Sequence, residues 1–94
     1  MSDIQSPRAL NFKDFLVYRY ADPEKARRNS LNGAMARLAM QVLRDPSFPD
    51  ASNLGQVVDF IETTPEYEWC TKKHLPAEAA WIDYTVWLLT LSRA

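Results

Sequence analysis

The sequence predicts a small all-α protein: a compact bundle of four to five short helices with a longer C-terminal one. Apolar residues recur at helical spacing in every extended segment, and none keeps the two-residue alternation of a strand. Six prolines and two glycines in 94 residues divide the chain into short pieces with marked corners. Apolar residues make up 47% of the chain and aromatic ones 12%, enough to close one core, and the length allows one domain.

The first nine residues are polar, carry Pro7 and show no apolar periodicity, so 1–10 reads as a flexible arm ahead of a single domain over 11–94. Asn11 offers an N-cap, with Asp14 in the electropositive first turn. Phe12, Phe15, Leu16, Arg19 and Tyr20 then share a face, Arg19 laying its stem along it, which predicts a helix over 12–20. Asp22-Pro23 opens a polar link, 24–29, suited to a single helical turn. Ser30 caps the next helix, whose stripe is Leu31, Met35, Leu38, Ala39 and Val42; Gly33 is its one weak residue. Arg44 suits the last turn and Pro46 ends the helix.

The corner Asp45-Pro46-Ser47-Phe48-Pro49 has two prolines fixing its backbone and a phenylalanine that water disfavours. It reads as a turn that tucks Phe48 into the core. Ser52 or Asn53 caps a third helix, Asn53 with Gln56 making a capping box, and Leu54, Val57, Val58 and Ile61 form its stripe with Phe60 alongside. Thr64-Pro65-Glu66 repeats the start signal and predicts a short fourth helix over 65–71. His74-Leu75-Pro76 breaks it, and the last helix is expected over 77–92 with the stripe Ala77, Ala80, Trp81, Tyr84, Leu88 and Leu91. Ile82, Val86 and Leu89 fall about a third of a turn from that stripe, and Trp87 widens the apolar arc. A helix apolar over most of its circumference is either central or paired with something outside the domain; full enclosure is hard in so small a bundle, so the excess marks a contact surface.

Several of these residues carry a family resemblance. Phe12, Phe15, Tyr18 and Arg19 in the first helix, Leu38-Ala39 before Asp45 and Ser47-Phe48-Pro49, Glu62 and Tyr67 around the next corner, and Ala80-Trp81 with Tyr84 in the last helix resemble the YozE-type SAM-like domain of bacteria and phages. The resemblance spans roughly Asn11 to Tyr84. It implies a SAM-like arrangement of short helices with a longer last one, and no catalytic activity. Two features depart from the family pattern: a longer link over 21–33, and a more apolar run through Val86-Trp87-Leu88-Leu89. Extra length and extra apolar surface are where a member of such a family acquires its own partner.

Charge and chemistry narrow the function. Eleven basic and twelve acidic side chains give a net charge of −1, without the basic excess of a chain built to hold phosphate backbones. The single cysteine, Cys70, allows no internal disulfide. The start shows no apolar signal core, no stretch approaches the ~20 apolar residues of a membrane span, and a cytoplasmic location is expected. Cys70 and His74 share helical spacing but lack an orienting partner and an oxyanion site, so they read as a half-buried thiol and a helix-terminal histidine at the negative dipole end. Two ligands do not make a structural zinc site. Asp59 and Glu62 read as a solvated surface. Lys72 and Lys73 read as dipole compensation at the end of the fourth helix. Trp69 and Trp87 read as core, either being an anchor if exposed.

No enzyme, cofactor, metal or small-molecule substrate is expected. The favoured expectation is a non-catalytic protein-interaction module, with self-association open and a phage-type modulator of a host protein as one form. Its surface would be Ile82, Val86, Trp87 and Leu89. The alternative is a nucleic-acid-binding module using Lys25, Arg27 and Arg28, with Arg19 and Arg37 near them.

Overall fold

The computed structural model describes residues 10–68 and 74–93, with the backbone alone for Arg93. Among them are four α-helices, α1 (Phe12–Tyr20), α2 (Leu31–Arg44), α3 (Leu54–Thr63) and α4 (His74–Arg93), and two 3-10 turns, Lys25–Arg27 and Pro65–Tyr67. The described residues contain no strand. The chain is a small all-α bundle. The arm, residues 1–9, Trp69, Cys70 and the Lys72-Lys73 pair lie outside the described residues.

Three helices begin where short polar side chains can reach their orphan N–H groups. Asn11 Oδ1 accepts from the Asp14 N–H at 2.8 Å, Ser30 Oγ from Gly33 at 3.1 Å, and Asn53 Oδ1 from Gln56 at 3.0 Å. Each such cap stabilises by about 1 kcal/mol. The Gln56 arm of the expected capping box reaches one residue further back: its Oε1 accepts from the Ser52 N–H at 2.7 Å. Of the two candidates Asn53 is the cap, and Ser52 only donates to Gln56.

α4 is the common wall of the bundle, touching α1, α2 and α3, while α2 also lies against α1. Ala77 and Ala80, both fully buried, keep its inner side thin. Around them pack Phe12, Leu16, Leu38, Val57 and Ile61. Phe48 is 2% exposed. Its corner is tied by Asp45, whose Oδ1 accepts from the Ser47 N–H at 3.0 Å and the Ser47 hydroxyl at 2.6 Å. That local turn aims the ring inward, where it meets Phe60 edge-on at 5.3 Å and Tyr67 at 6.4 Å.

A second aromatic group joins α1 to α4. Phe12 packs on Trp81 at 4.7 Å and on Tyr84 at 5.5 Å, and Phe15 packs on Trp87 at 5.1 Å. The Tyr20 hydroxyl donates to Asp83, and the Tyr84 hydroxyl donates to the Leu10 carbonyl at 2.7 Å. Burial raises the Tyr20 and Tyr67 phenols above their ordinary value of 10.0, helped by Asp83 and Asp45 respectively. Tyr84 is raised by burial and by the charge of Asp50.

The structure corrects three expectations. Leu31 shares the phase of the α2 stripe but is 49% exposed, because the first position of the helix lies beyond the packed core. The expected fourth helix is a single 3-10 turn, Pro65–Tyr67, as far as the described residues run, and Thr64 makes no side-chain cap to it. The Thr64 hydroxyl donates instead to the Phe60 carbonyl at 2.5 Å, and Thr63 donates to Asp59 at 2.7 Å, so both close the end of α3. Finally, α4 starts at His74, three residues before Ala77. Pro76 stands in its first turn, where a missing N–H costs no helical hydrogen bond. His74 is therefore at the positive end of the helix dipole, not the negative one.

Candidate interaction surface

α4 carries two apolar seams. The inner one, Ala77, Trp81, Tyr84, Leu88 and Leu91, steps by four, three, four and three residues. These side chains are buried or half-buried against the bundle. The outer one, Leu75, Ala79, Ile82, Val86 and Leu89, has the same steps two residues earlier. At 3.6 residues per turn, a two-residue offset places the second seam about 160° around the helix from the first. It stands nearly opposite the bundle, further round than the third of a turn read from the sequence. Ile82, Val86 and Leu89 are 63%, 55% and 60% exposed. Leu75, at 40%, extends the row and was not picked out by the sequence, whereas Ala79, in phase with it, packs against the core.

Trp87 does not belong to this outer row. It lies on the α1 side of α4, half-buried between Phe15 and Tyr18, whose rings are 5.1 and 6.1 Å away, and stacked with Tyr84 at 6.4 Å. Its indole is a packing element.

The basic link presents a different picture. Asp22 Oδ1 accepts from the Glu24 N–H at 3.0 Å and the Lys25 N–H at 3.3 Å, starting the 3-10 turn. Lys25, Arg27 and Arg28 are exposed on it. Arg37, from α2, turns back beneath the link and its Nη1 donates to the Ala26 and Arg28 carbonyls, both at 2.8 Å. Gly33 makes this approach possible: a Cβ there would lie 2.8 Å from the Arg28 carbonyl carbon and 3.1 Å from the Lys25 oxygen. The glycine that looked weak in a helix is the seat of the link.

The five basic candidates lie around the link. Arg19 and Lys25 line one cleft of about 250 Å³ with Asp22 and Asn32. Arg37 lines another of about 320 Å³, open to solvent, with Pro23, Met40 and Arg44. Arg27 and Arg28 line neither of these two.

His74 Nδ1 lies 3.8 Å from Glu62 Oε2, both side chains about half exposed, while Asp59 is exposed on α3. Among the described residues, no three of the side chains that ligate metals stand together, and no helix is long and apolar enough to cross a membrane. Comparison with known proteins returns no similarity: no family model, no curated protein and no solved structure matches this chain.

Proposed function

We propose that this chain is a non-catalytic helical module that acts by docking the outer face of α4 onto another protein surface. The observation that carries the reading is the row Ile82, Val86 and Leu89, each more than half exposed on the helix that forms the common wall of the core. A side chain of this size left in water forgoes about 1.5–3 kcal/mol of burial. Three in line on a rigid element form the kind of apolar patch that marks a binding site. The resemblance to YozE-type SAM-like domains supports a binding role over a chemical one and a bacterial or phage setting. The lone cysteine supports a cytoplasmic location.

A nucleic-acid role draws less support. Arg37 already serves two carbonyls of the link, and Asp22 stands with Arg19 and Lys25 in their shared cleft. Among the described residues the acidic side chains offer no pair set apart by burial, as general acid–base work requires: Asp59 and Glu62 both face water.

The test is affinity capture from source cells with the native chain and with Val86→Glu and Leu89→Glu variants. A partner retained by the native chain and lost by both variants supports the reading. An unchanged set of retained proteins contradicts it. Titration of duplex and single-stranded DNA and RNA at ~50 mM salt examines the alternative, where salt-sensitive binding abolished by Lys25→Ala, Arg27→Ala and Arg28→Ala together would reinstate it.

A further inference from the structure

Independently of α4, we propose that the cleft between the link and α2 is a second docking site. It takes an extended peptide that carries an apolar side chain and, two residues on, a carboxylate. One stripe of α2 builds the cleft. Arg37, Met40, Gln41 and Arg44 stand at i, i+3, i+4 and i+7, so they share a face of the helix, away from the core stripe of Leu38, Ala39 and Val42. Pro23 and Ala26 of the link form the opposite wall, and about 320 Å³ lies between. Arg37 fixes the spacing of the walls, because its Nη1 donates to the Ala26 carbonyl at 2.8 Å. The hollow is thus formed before anything enters it, which lowers the ordering cost of binding.

The lining specifies the chemistry of the occupant. Pro23, Ala26 and half-buried Met40 give an apolar floor, and a thioether chain adapts to side chains of different shape. Arg44 is exposed one turn further along α2, where its Nη2 donates to Gln41 Oε1 at 3.4 Å, one of five N–H donors of the guanidinium. No acidic side chain lines the cleft, although the whole chain carries a net charge of −1. The neighbouring carboxylate, Asp45, is taken by Ser47 and by the Tyr67 hydroxyl. A planar guanidinium without a carboxylate of its own selects an anion, and a carboxylate fits its fork. The helix dipole explains a cation at Arg44 but not the apolar hollow beside it.

Spacing and size give the form of that occupant. Met40 and Arg44 are four residues apart, about 6 Å along the helix axis. Alternate residues of an extended chain project to one side about 6.6 Å apart. An apolar residue and a glutamate in that relation reach the floor and the guanidinium together. The cleft is open to solvent and near the ~300 Å³ lower end of ligand pockets, so it encloses too little of a free small molecule. A side chain borne on a longer peptide gains its remaining contact from the rim. A phosphate backbone would leave the apolar floor uncovered.

The experiment titrates the ¹⁵N-labelled full chain with acetyl-Ser-Leu-Ser-Glu-Ser-amide, followed by NMR. Two control peptides carry lysine for the glutamate or serine for the leucine. The expected result is saturable shifts at the Ala26, Met40, Gln41 and Arg44 amides, with each control weaker by at least about fivefold. Arg44→Glu should reverse the preference, so that the lysine peptide binds and the glutamate peptide does not. Circular dichroism verifies the fold of each variant. Should the reversed variant not fold, Arg44→Gln, which keeps a polar side chain without the charge, should abolish the discrimination. Lys13→Ala removes a cation outside the cleft and should leave the affinity unchanged. No saturable shift up to ~10 mM peptide, an equal response to the glutamate and lysine peptides, or shifts lying outside the cleft would overturn the site. None of these outcomes turns on Ile82, Val86 or Leu89, so docking through α4 stands or falls separately.

Discussion

The link over 22–30 and the outer face of α4 are the two surfaces that the sequence marks for function, and the fold treats them oppositely. At the link, Arg37 from α2 hydrogen-bonds two carbonyls and Asp22 receives two N–H groups, while Lys25, Arg27 and Arg28 stay exposed. On α4, the apolar side chains that looked surplus remain surplus, with Ile82, Val86 and Leu89 still largely in water after all four helices have packed. A cation beside backbone carbonyls finds employment within its own chain. An apolar row set about 160° from the bundle cannot, because a helix is straight and its far side points away. Surplus on a rigid opposite face is therefore a stronger pointer to function than surplus charge on a loop.

The comparison can be broken first at Gly33. Gly33→Ala places a methyl group against the Arg28 and Lys25 carbonyls, so the link must lift and Arg37 loses its acceptors. The expected loss is about 1–3 kcal/mol, read by urea denaturation. A neutral or stabilising result would mean that the link does not rest on α2. Arg37→Ala should cost about 1–2 kcal/mol through the same contacts, somewhat less because water can reach the freed carbonyls. Arg37→Lys should recover little of it, since an ammonium lacks the planar fork. If instead Arg37→Ala left stability untouched and abolished nucleic-acid binding, the two surfaces would have to exchange roles.

Alkaline titration sharpens the contrast from the core side. The phenols of Tyr20, Tyr67 and Tyr84 are held above their ordinary value of 10.0 in the folded chain. Folding therefore retains protons that the unfolded chain gives up, and stability falls as pH rises beyond about 10. Their contribution is fully present at neutral pH. Denaturation midpoints measured from pH 8 upward should decline past pH 10, less steeply in Tyr67→Phe; an identical slope in that variant would contradict the burial described for this ring. The smallest stability effects belong to α4's outer face. Ile82→Ser and Val86→Ser should each change unfolding free energy by no more than about 0.5 kcal/mol, as exposed sites do. A cost above ~2 kcal/mol would mean that the row is part of the monomer's packing.

Much of the fold was legible because its signals are local. Asn11, Ser30 and Asn53 bond to N–H groups three residues on, and Asp45 organises its own corner two residues away, so Phe48 could be assigned to the core from the sequence. The misreadings arose where a residue's role is set by distant chain. Pro76 looked like a stop before a helix and proved to be inside its first turn. Thr64 looked like a cap and proved to be the end of α3. Gly33 and Arg37 each made sense only once the link was folded over α2. At the candidate site, Ile82, Val86 and Leu89 were visible as apolar excess, whereas Leu75 was hidden between His74 and the helix-breaking Pro76. Trp87 was grouped with them although Phe15 and Tyr18 claim its ring.

The most direct examination of α4's outer face is NMR of the ¹⁵N-labelled chain titrated with the protein recovered by the affinity capture above, following each backbone amide. Docking through this face requires shifts at Ile82, Val86 and Leu89, with Lys25, Arg27 and Arg28 unmoved. Amides of α4 that stay fixed through saturation, or shifts confined to the basic link, would contradict it.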